Sequence, residues 1–284
     1  MKLIESKVEV IEQLPGLDGV YKQIELAGRT CYKSEDKITE DSAKAFVDRM
    51  IGSKHGAMLE HGTVYLLIRD CDETDTHINE YMSNPYTKVN SVGNWWYVTT
   101  NLRVLVENDW MHDLLLYLSE PTEHHEKRIT TRFTCDRGVS HEIVRHRVMS
   151  FAQESTRYCN YSKDKFGNEL TFIKPTWYNQ ERLEAEIAST IEVDTEEIAE
   201  QDFNQFLNYC QRQYFKLLNK GCKPQEARQV LPNAVKTEII VTGFESDWEH
   251  FFSLRSPKYG AQGVHPDMAK LADELYEKLN SVNK

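Results

Sequence analysis

The sequence predicts an α+β fold, and three observations carry that expectation. Short runs rich in alternating or β-branched residues, such as 128–135 and 238–241, read as strands. Longer stretches with apolar residues at helical spacing, such as 203–217, read as helices. The two kinds follow one another without a clean βαβ series, so a regular parallel α/β sheet is not expected.

Taken in order, Val8-Glu9-Val10-Ile11 alternates and forms a first strand. Residues 18–31 look helical. Residues 39–51 form a clearer helix, with Thr39 placed to cap it and Ala43, Phe46, Val47 and Met50 as its apolar stripe. Residues 63–68 are a strand. The stretch 70–127 is the least regular. It opens on Asp70, Asp72, Glu73 and Asp75, then holds Asn84-Pro85-Tyr86, Gly93-Asn94-Trp95-Trp96 and a helix at 110–118. It reads as an inserted, partly helical elaboration. A strand at 128–135, a helix at 139–150 and a short strand at 170–173, closed by Pro175, follow. From 180 to 219 the pattern is helical, with Phe203, Phe206, Leu207, Cys210, Tyr214 and Leu217 as core packing and Gly221 ending the helix. Pro224 opens the run 225–231, which Pro232 closes. Residues 238–241 are a strand, Ser246 or Asp247 caps a helix through 254, and Pro266 opens a final helix through 279. No internal repeat and no low-complexity linker interrupts the chain.

Composition narrows the function. The 284 residues hold 34 Lys+Arg against 45 Asp+Glu, a net charge of −11. That balance argues against a general nucleic-acid or anionic-membrane binder, which needs net positive charge. At 40% hydrophobic and 28% charged, the chain reads as soluble and long enough to bury a core without disulfides. No window approaches the roughly 20 apolar residues of a membrane span. Residues 1–10 alternate and carry charge, unlike a signal or transit peptide. The six cysteines, Cys31, Cys71, Cys135, Cys159, Cys210 and Cys222, form no C-x-x-C pair. They are expected as reduced thiols in a cytoplasm, without a structural zinc site. Aromatics at 11% fill a core, an interface or a stacking site for a planar ligand.

The densest chemistry lies in Arg145-His146-Arg147-Val148-Met149-Ser150-Phe151-Ala152-Gln153-Glu154-Ser155-Thr156-Arg157-Tyr158. Arginine forks match phosphate oxygens two at a time, so this cluster in an acidic chain points to a local anion site. The competing reading is an exposed basic helix end. His141 and His146 are spaced five apart, one residue too many for a zinc pair on a helix, so no metal is expected. His124-His125 reads as a solvated pair in an acidic loop. Neither G-x-G-x-x-G, G-x-x-x-x-G-K-[ST] nor G-x-S-x-G occurs, so any nucleotide must be held by side chains and helix ends.

Arg145-His146-Arg147, seven residues and then Ser155 resembles the signature of flavin-dependent thymidylate synthases, and Thr156-Arg157-Tyr158 continues it. The resemblance extends to Ala27-Gly28-Arg29-Thr30-Cys31-Tyr32, to Lys54-His55-Gly56 through Glu60-His61, to Glu226-Ala227-Arg228-Gln229-Val230-Leu231-Pro232 and to 247–255. It covers most of 1–69 and 128–282, with no counterpart for 70–127. It implies a single domain, residues 1–284, with a mixed or antiparallel sheet, flanking helices and an insertion at about 70–127. It implies synthesis of dTMP from dUMP, with carbon from 5,10-methylenetetrahydrofolate and hydride from FAD that NADPH reduces. It also implies a homotetramer with shared active sites.

By the same resemblance, Arg255 is the catalytic arginine placed against the uracil ring, where a guanidinium stabilises developing negative charge. Glu142, Arg145, Gln153, Glu154, Ser155, Thr156, Arg157 and Arg228 would join it in binding dUMP. His55, Ala57, Arg145, His146, Arg147, Val148, Gln153, Phe244 and His250 would hold FAD. Hydride transfer needs positioning rather than a protein nucleophile, and the Pro-Cys-His setting of the unrelated cysteine-dependent synthase is absent. His61 reads as a core histidine that opens a strand. Departures fall at Cys31, where many members have Ser, and at Ala57-Met58, in place of Thr-Pro or Ser-Pro. Glu142 and Gln153 exchange an acid and an amide, and Phe244 and His250 replace two flavin-contacting asparagines. The alternative is flavin-dependent modification of another pyrimidine nucleotide. A non-enzymatic RNA- or anion-binding module fits the charge poorly.

Overall fold

The computed structural model of the protein describes residues 1–71, 74–163, 166–188 and 198–282. Its strands are β1 (Lys2–Ile4), β2 (Lys7–Ile11), β3 (Thr63–Arg69), β4 (Lys88–Val92), β5 (Trp95–Asn101), β6 (Arg128–Asp136), β7 (Ser150–Gln153), β8 (Thr171–Ile173) and β9 (Lys236–Phe244). Its α-helices are α1 (Gly16–Tyr32), α2 (Ser42–Gly52), α3 (Asp75–Ser83), α4 (Leu102–Glu107), α5 (Asp113–Leu116), α6 (Arg137–Ile143), α7 (Gln180–Ala188), α8 (Ala199–Asn219), α9 (Pro224–Ala227), α10 (Glu245–Arg255) and α11 (Pro266–Val282).

The fold is α+β, as expected. An antiparallel sheet in the order β2-β6-β9-β7 lies at its centre, with a second antiparallel sheet, β3-β5-β4, and a parallel pair, β1-β8. Both faces of the central sheet are covered. Ile239 and Val241 of β9 face a core built with Trp248, Phe251 and Phe252 of α10 and Leu271 and Leu275 of α11. Ile240 points the other way, into a core shared with Ile24 of α1, Phe46 of α2 and Leu66 of β3. This is the period-2 alternation of a strand, here apolar on both sides. A third cluster packs Leu207 and Tyr214 of α8 against Phe172 of β8 and Val235.

Several elements differ from their sequence reading. The helix expected at 39–51 begins at Ser42, and Thr39 does not cap it; the Thr39 backbone N–H donates instead to Ser42 Oγ at 2.9 Å. The stretch 70–127 contains a hairpin, β4–β5, beside its helices. Gly93, at φ 60°, fills the first central position of the two-residue turn between Val92 and Trp95, a place that favours glycine. β5 pairs along the whole of β3, so this stretch shares a core with α1 and α2. The helix expected at 110–118 is only the turn Asp113–Leu116. The helix expected at 139–150 stops at Ile143, because Ser150–Gln153 pairs with β9 as β7 and strand pairing overrides local helix preference. Phe206, expected in the core, is 54% exposed. Neither Ser246 nor Asp247 is the cap residue of α10, yet Asp247 Oδ2 accepts from the Phe244 N–H at 2.9 Å and closes its first turn. Within the helical reading of 180–219, residues 189–197 lie outside the described residues.

His125, expected to be solvated, is buried. Its Nε2 lies 3.1 Å from Leu66 O and its ring packs edge-on to Tyr65 and Tyr97. The cause is the backbone before it: Leu67 N donates to Tyr117 O and Ser119 N to Tyr65 O, each at 2.9 Å, which lays this stretch along β3. His61 is fully buried, with Nδ1 2.9 Å from Thr242 Oγ1.

The stretch 70–127 is tied together by a buried carboxylate. Asp113 Oδ2 accepts from Tyr81 Oη at 2.6 Å and lies 2.6 Å from His77 Nε2, bringing α3 to α5. Burial lowers the His77 pKa, but Asp113 and Glu80 outweigh it, and the value ends above the ordinary 6.5. A histidine with a raised folded pKa adds stability that is complete below 6.5 and lost as pH rises through the folded value. The melting temperature is therefore expected to fall as pH climbs above 6.5. Asp113→Asn should flatten that part of a melting-temperature series against pH. A His77→Gln protein that keeps the full slope would refute the assignment.

Candidate active site

The segment singled out by sequence is a connector, not a helix. It leaves α6 at Ile143, passes through turns carrying Arg145, His146, Arg147 and Val148, and enters β7. The basic-helix-end reading therefore holds for Arg145, which directly follows the α6 C-cap Val144, and not for Arg157 beyond β7. His141 stays on α6 while His146 sits in the connector, so the helical spacing of the two has no bearing.

The expected site residues fall into three groups. The first lies where α10 ends against α6. Arg255 Nη1 donates to Glu142 Oε2 at 2.5 Å, and Arg255 Nε points at His146 Nε2 at 3.4 Å. His146 is buried, with Phe251 and His250 rings 4.9 and 6.3 Å away. Burial, then Arg255 and His250, push its pKa from 6.5 down to about 4. A neutral ring with its proton on Nδ1 can accept from Arg255 Nε, so the guanidinium is held on two sides. Arg145, Arg147 and Val148 are exposed beside this group. Neither arginine has a carboxylate within ion-pair distance among the described residues.

The second group follows β7. Ser155 N donates to Cys31 O at 3.0 Å, Ser155 Oγ accepts from the Arg157 N–H at 3.3 Å, and Tyr158 N and Cys159 N return to Ser155 O. This tight turn leaves Arg157 exposed, with its guanidinium 5.5 Å from the Tyr158 ring centre. Tyr158 packs on Tyr32, whose hydroxyl lies 3.3 Å from His55 Nδ1. Ala57 lies in the 3-10 segment Gly56–His61, which His55 directly precedes. Arg228 Nη1 donates to Thr156 Oγ1 at 3.2 Å, bringing the end of α9 to the turn. Tyr32 joins the site without having been singled out from sequence.

The third group is a single ring. Phe244, at the far end of β9, is buried beneath Arg128 and Lys88, whose cations lie 5.5 and 5.8 Å from its centre. Among the described residues no hydrogen bond or ion pair joins the three groups. A cavity of about 690 Å³ lies elsewhere, between Leu14, Leu118 and Lys127, and is lined by none of the expected residues.

Two of the residues expected to bind substrate are otherwise engaged. The Gln153 amide donates to Ser140 Oγ at 2.8 Å and Thr237 Oγ1 at 3.2 Å. Glu154 is buried and accepts from Tyr161 Oη at 2.9 Å and Lys236 Nζ at 2.8 Å. Lys236, Lys33 and Glu238 complete a charged cluster that motif reading missed; its one sequence signal is the Lys236, Glu238 alternation at the start of a strand.

Comparison with known proteins follows the same lines. Residues 107–282 match the model of the family described as thymidylate synthase complementing protein, so the match reaches back into the stretch expected to lack a counterpart. A flavin-dependent thymidylate synthase of Pyrococcus furiosus is 30% identical over 189 residues, 66% of this chain and 70% of that protein. One from Corynebacterium glutamicum is 23% identical over 275 residues, 95% of this chain and 79% of that protein. The crystal structure of a UMP/dUMP methylase, PolB, from Streptomyces cacaoi bound with 5-Br dUMP superposes with a TM-score of 0.46 at 15% identity, over 99% of this chain and 93% of that one. Because the family model matches residues 107–282 and the Pyrococcus furiosus protein is 30% identical over 70% of its own length, the chain belongs to the thymidylate synthase complementing protein family, that of the flavin-dependent thymidylate synthases.

Proposed function

We propose that the protein makes dTMP from dUMP, with carbon from 5,10-methylenetetrahydrofolate and hydride from FAD reduced by NADPH. The observation that carries this reading is the set of exposed arginines around one short segment. Arg145, Arg147 and Arg157 stand without carboxylate partners among the described residues in a chain of net charge −11. Unpaired guanidiniums in an acidic protein fit phosphate-bearing ligands.

The donor set suits FAD. Arg145 and Arg147 offer ten N–H donors in two rigid forks to a diphosphate, by the ordinary count of about five each. The resemblance adds His55, Ala57, His146, Val148, Gln153, Phe244 and His250 to the flavin site; in one protomer they fall in different groups, and the Gln153 amide donates to Ser140 and Thr237. When bound, reduced flavin supplies the hydride chemistry. The chain's own residues supply binding and electrostatics. Arg157, Ser155 and Thr156 hold the substrate phosphate, and Arg228 braces Thr156. Ser155 Oγ is turned onto a backbone N–H rather than a base, so it binds and does not attack. Arg255 stabilises negative charge on the uracil ring, while Glu142 and neutral His146 fix its plane. The resemblance implies active sites shared within a homotetramer, and the lack of any hydrogen bond or ion pair joining the three groups among the described residues fits that arrangement. No helix among the described residues is long and apolar enough to cross a membrane, and we place the enzyme in the cytoplasm.

The deciding assay is anaerobic bleaching of the flavin by NADPH, with dTMP measured with and without dUMP and methylenetetrahydrofolate. Product only when both are present supports the reading; product from another pyrimidine nucleotide in preference to dUMP replaces it with the alternative. Arg255→Ala should lower kcat by about 10²–10³ and leave flavin bound, since it removes one charge-stabilising donor; near-normal turnover would refute its role. Ser155→Ala should weaken dUMP binding about tenfold at unchanged flavin content, the loss of one phosphate donor. Equal loss of both ligands counts against its placement. His146 supplies a pH test. Its folded pKa of about 4 lies below the ordinary 6.5, so between these values the unfolded chain binds more protons. Its contribution to stability is complete above 6.5 and declines as pH falls to about 4. Melting temperatures of His146→Gln should show a shallower decline over that window than the parent protein.

A further inference from the structure

We propose that Lys33, Glu238, Lys236 and Glu154 are positioning residues that set the conformation of the phosphate-gripping turn at 155–157. The inference rests on the assignment of that turn to the dUMP phosphate and extends it to residues that touch no ligand.

The four side chains form a closed alternation of charge. Lys33 Nζ lies 2.6 Å from Glu238 Oε2, Lys236 Nζ 2.7 Å from Glu238 Oε1 and 2.8 Å from Glu154 Oε2, and Lys33 Nζ 3.9 Å from that same Glu154 oxygen. Tyr161 Oη takes the remaining Glu154 oxygen. Glu154 is 2% exposed. Burial raises the Glu238 carboxyl pKa, but Lys236 and Lys33 outweigh it and hold the value at about 2. Such buried pairs contribute little net stability compared with apolar residues of the same size, so stability alone does not explain four of them together. Their geometry does. The four members sit at three roots of the turn. Glu154 is the residue before Ser155, and its N–H donates to Glu238 O at 2.8 Å. Lys33 caps α1 two residues after Cys31, whose carbonyl receives the Ser155 N–H. Lys236 and Glu238 open β9. The ring therefore clamps the helix end and the strand start that hold the turn from either side.

Lys33 carries a second signature. It adopts φ 48° as the C-cap residue of α1, a left-handed conformation that favours glycine. A lysine keeps this position despite that preference, and its ammonium is what reaches Glu238.

Positioning and simple charge make opposite predictions. Were the lysines only a source of positive potential, Glu238→Gln would leave an excess cation near the phosphate and tighten binding. If the ring positions the turn, Glu238→Gln loosens it and weakens binding. Lys33→Gly removes the ammonium while relieving the backbone, so the variant should fold, and Lys33→Arg should restore part of the function. The test is calorimetric titration of FAD-loaded wild type, Lys33→Gly, Glu238→Gln and Lys33→Arg with dUMP and with inorganic phosphate, alongside steady-state kinetics and flavin absorbance. The expected result is a dUMP Kd and KM raised about tenfold in Lys33→Gly and in Glu238→Gln, with kcat within about threefold and flavin content unchanged. Lys33→Arg should lie between Lys33→Gly and wild type. Tighter or unchanged binding in Glu238→Gln overturns the proposal, as does flavin loss in step with dUMP affinity. Wild type that binds phosphate but not dUMP removes the dUMP assignment alone, and the phosphate titrations of the variants then judge the ring. Wild type that binds neither overturns both.

Discussion

The register of β9 is the constraint on which the rest of the structure depends. Ile239, Ile240 and Val241 are each at most 1% exposed and alternate between two cores. Each gains about 1.5–3 kcal/mol from burial, but a strand that is apolar on both faces keeps most of that gain after a one-residue slip. Hydrophobicity thus places β9 without aligning it. The polar residues at its two ends align it. Thr242 meets Thr130 Oγ1 at 2.8 Å and His61 Nδ1 at 2.9 Å. At the other end Thr237 receives Gln153, Lys236 reaches Glu154, and Glu238 reaches Lys33. A slip would strand several buried polar groups at about 1–3 kcal/mol each. Aligned this way, β9 carries one candidate site at each end: the phosphate turn beside its start, and α10 with Arg255 from its finish.

Charge follows the same division between inside and outside. Several internal cations are matched: Lys236 by Glu154 and Glu238, Lys33 by those two and by Glu35, and Arg29 by Glu25 at 2.9 Å. Arg128 is an exception in kind. Its pKa falls to about 10 on burial, and its Nη1 donates to the Glu60 carbonyl at 3.0 Å rather than to a carboxylate. At neutral pH it stays charged, and the Phe244 ring 5.5 Å away takes up part of that charge. The arginines of the connector and the phosphate turn are the complement of this pattern. They face outward, and none has a carboxylate within ion-pair distance among the described residues.

Much of this was legible in the sequence, for reasons that differ by residue. The stripe Ala43, Phe46, Val47 and Met50 repeats at helical spacing, and all four are buried. The strands at 128–135 and 238–241 announce themselves through β-branched residues, and the structure extends each to nine residues. Two failures have physical causes. The hairpin β4–β5 was hidden behind Gly93-Asn94, which reads as loop, although Trp95-Trp96-Tyr97-Val98-Thr99-Thr100 is rich in residues that favour strands. The helix expected at 139–150 was cut short by a partner strand almost a hundred residues away, which no local window can see. Of the site, the arginine motif was plain. The buried ring of Lys33, Glu154, Lys236 and Glu238 was not, since three distant segments meet there and only tertiary structure joins them.

That last case bears on how such a site tolerates change. The Arg255 group is long-range but rests on few contacts: Glu142 near the end of α6, His146 in the connector after it, and the arginine brought to them from the end of α10. The phosphate turn is long-range, since Ser155 depends on Cys31 and on β9, and Thr156 on Arg228. A group resting on so few contacts can vary in its ligand-facing atoms without disturbing much of its support. A turn clamped between α1, β7 and β9 cannot, because each clamp is also a core contact. The departures from the family pattern do not divide this way. Glu142 and His250 fall in the first group and Phe244 outside both, while Ala57 falls in the second and Cys31 and Gln153 adjoin its turn. Ser155 and Arg157, which stand on the clamped turn, keep the residues that the family motif shows.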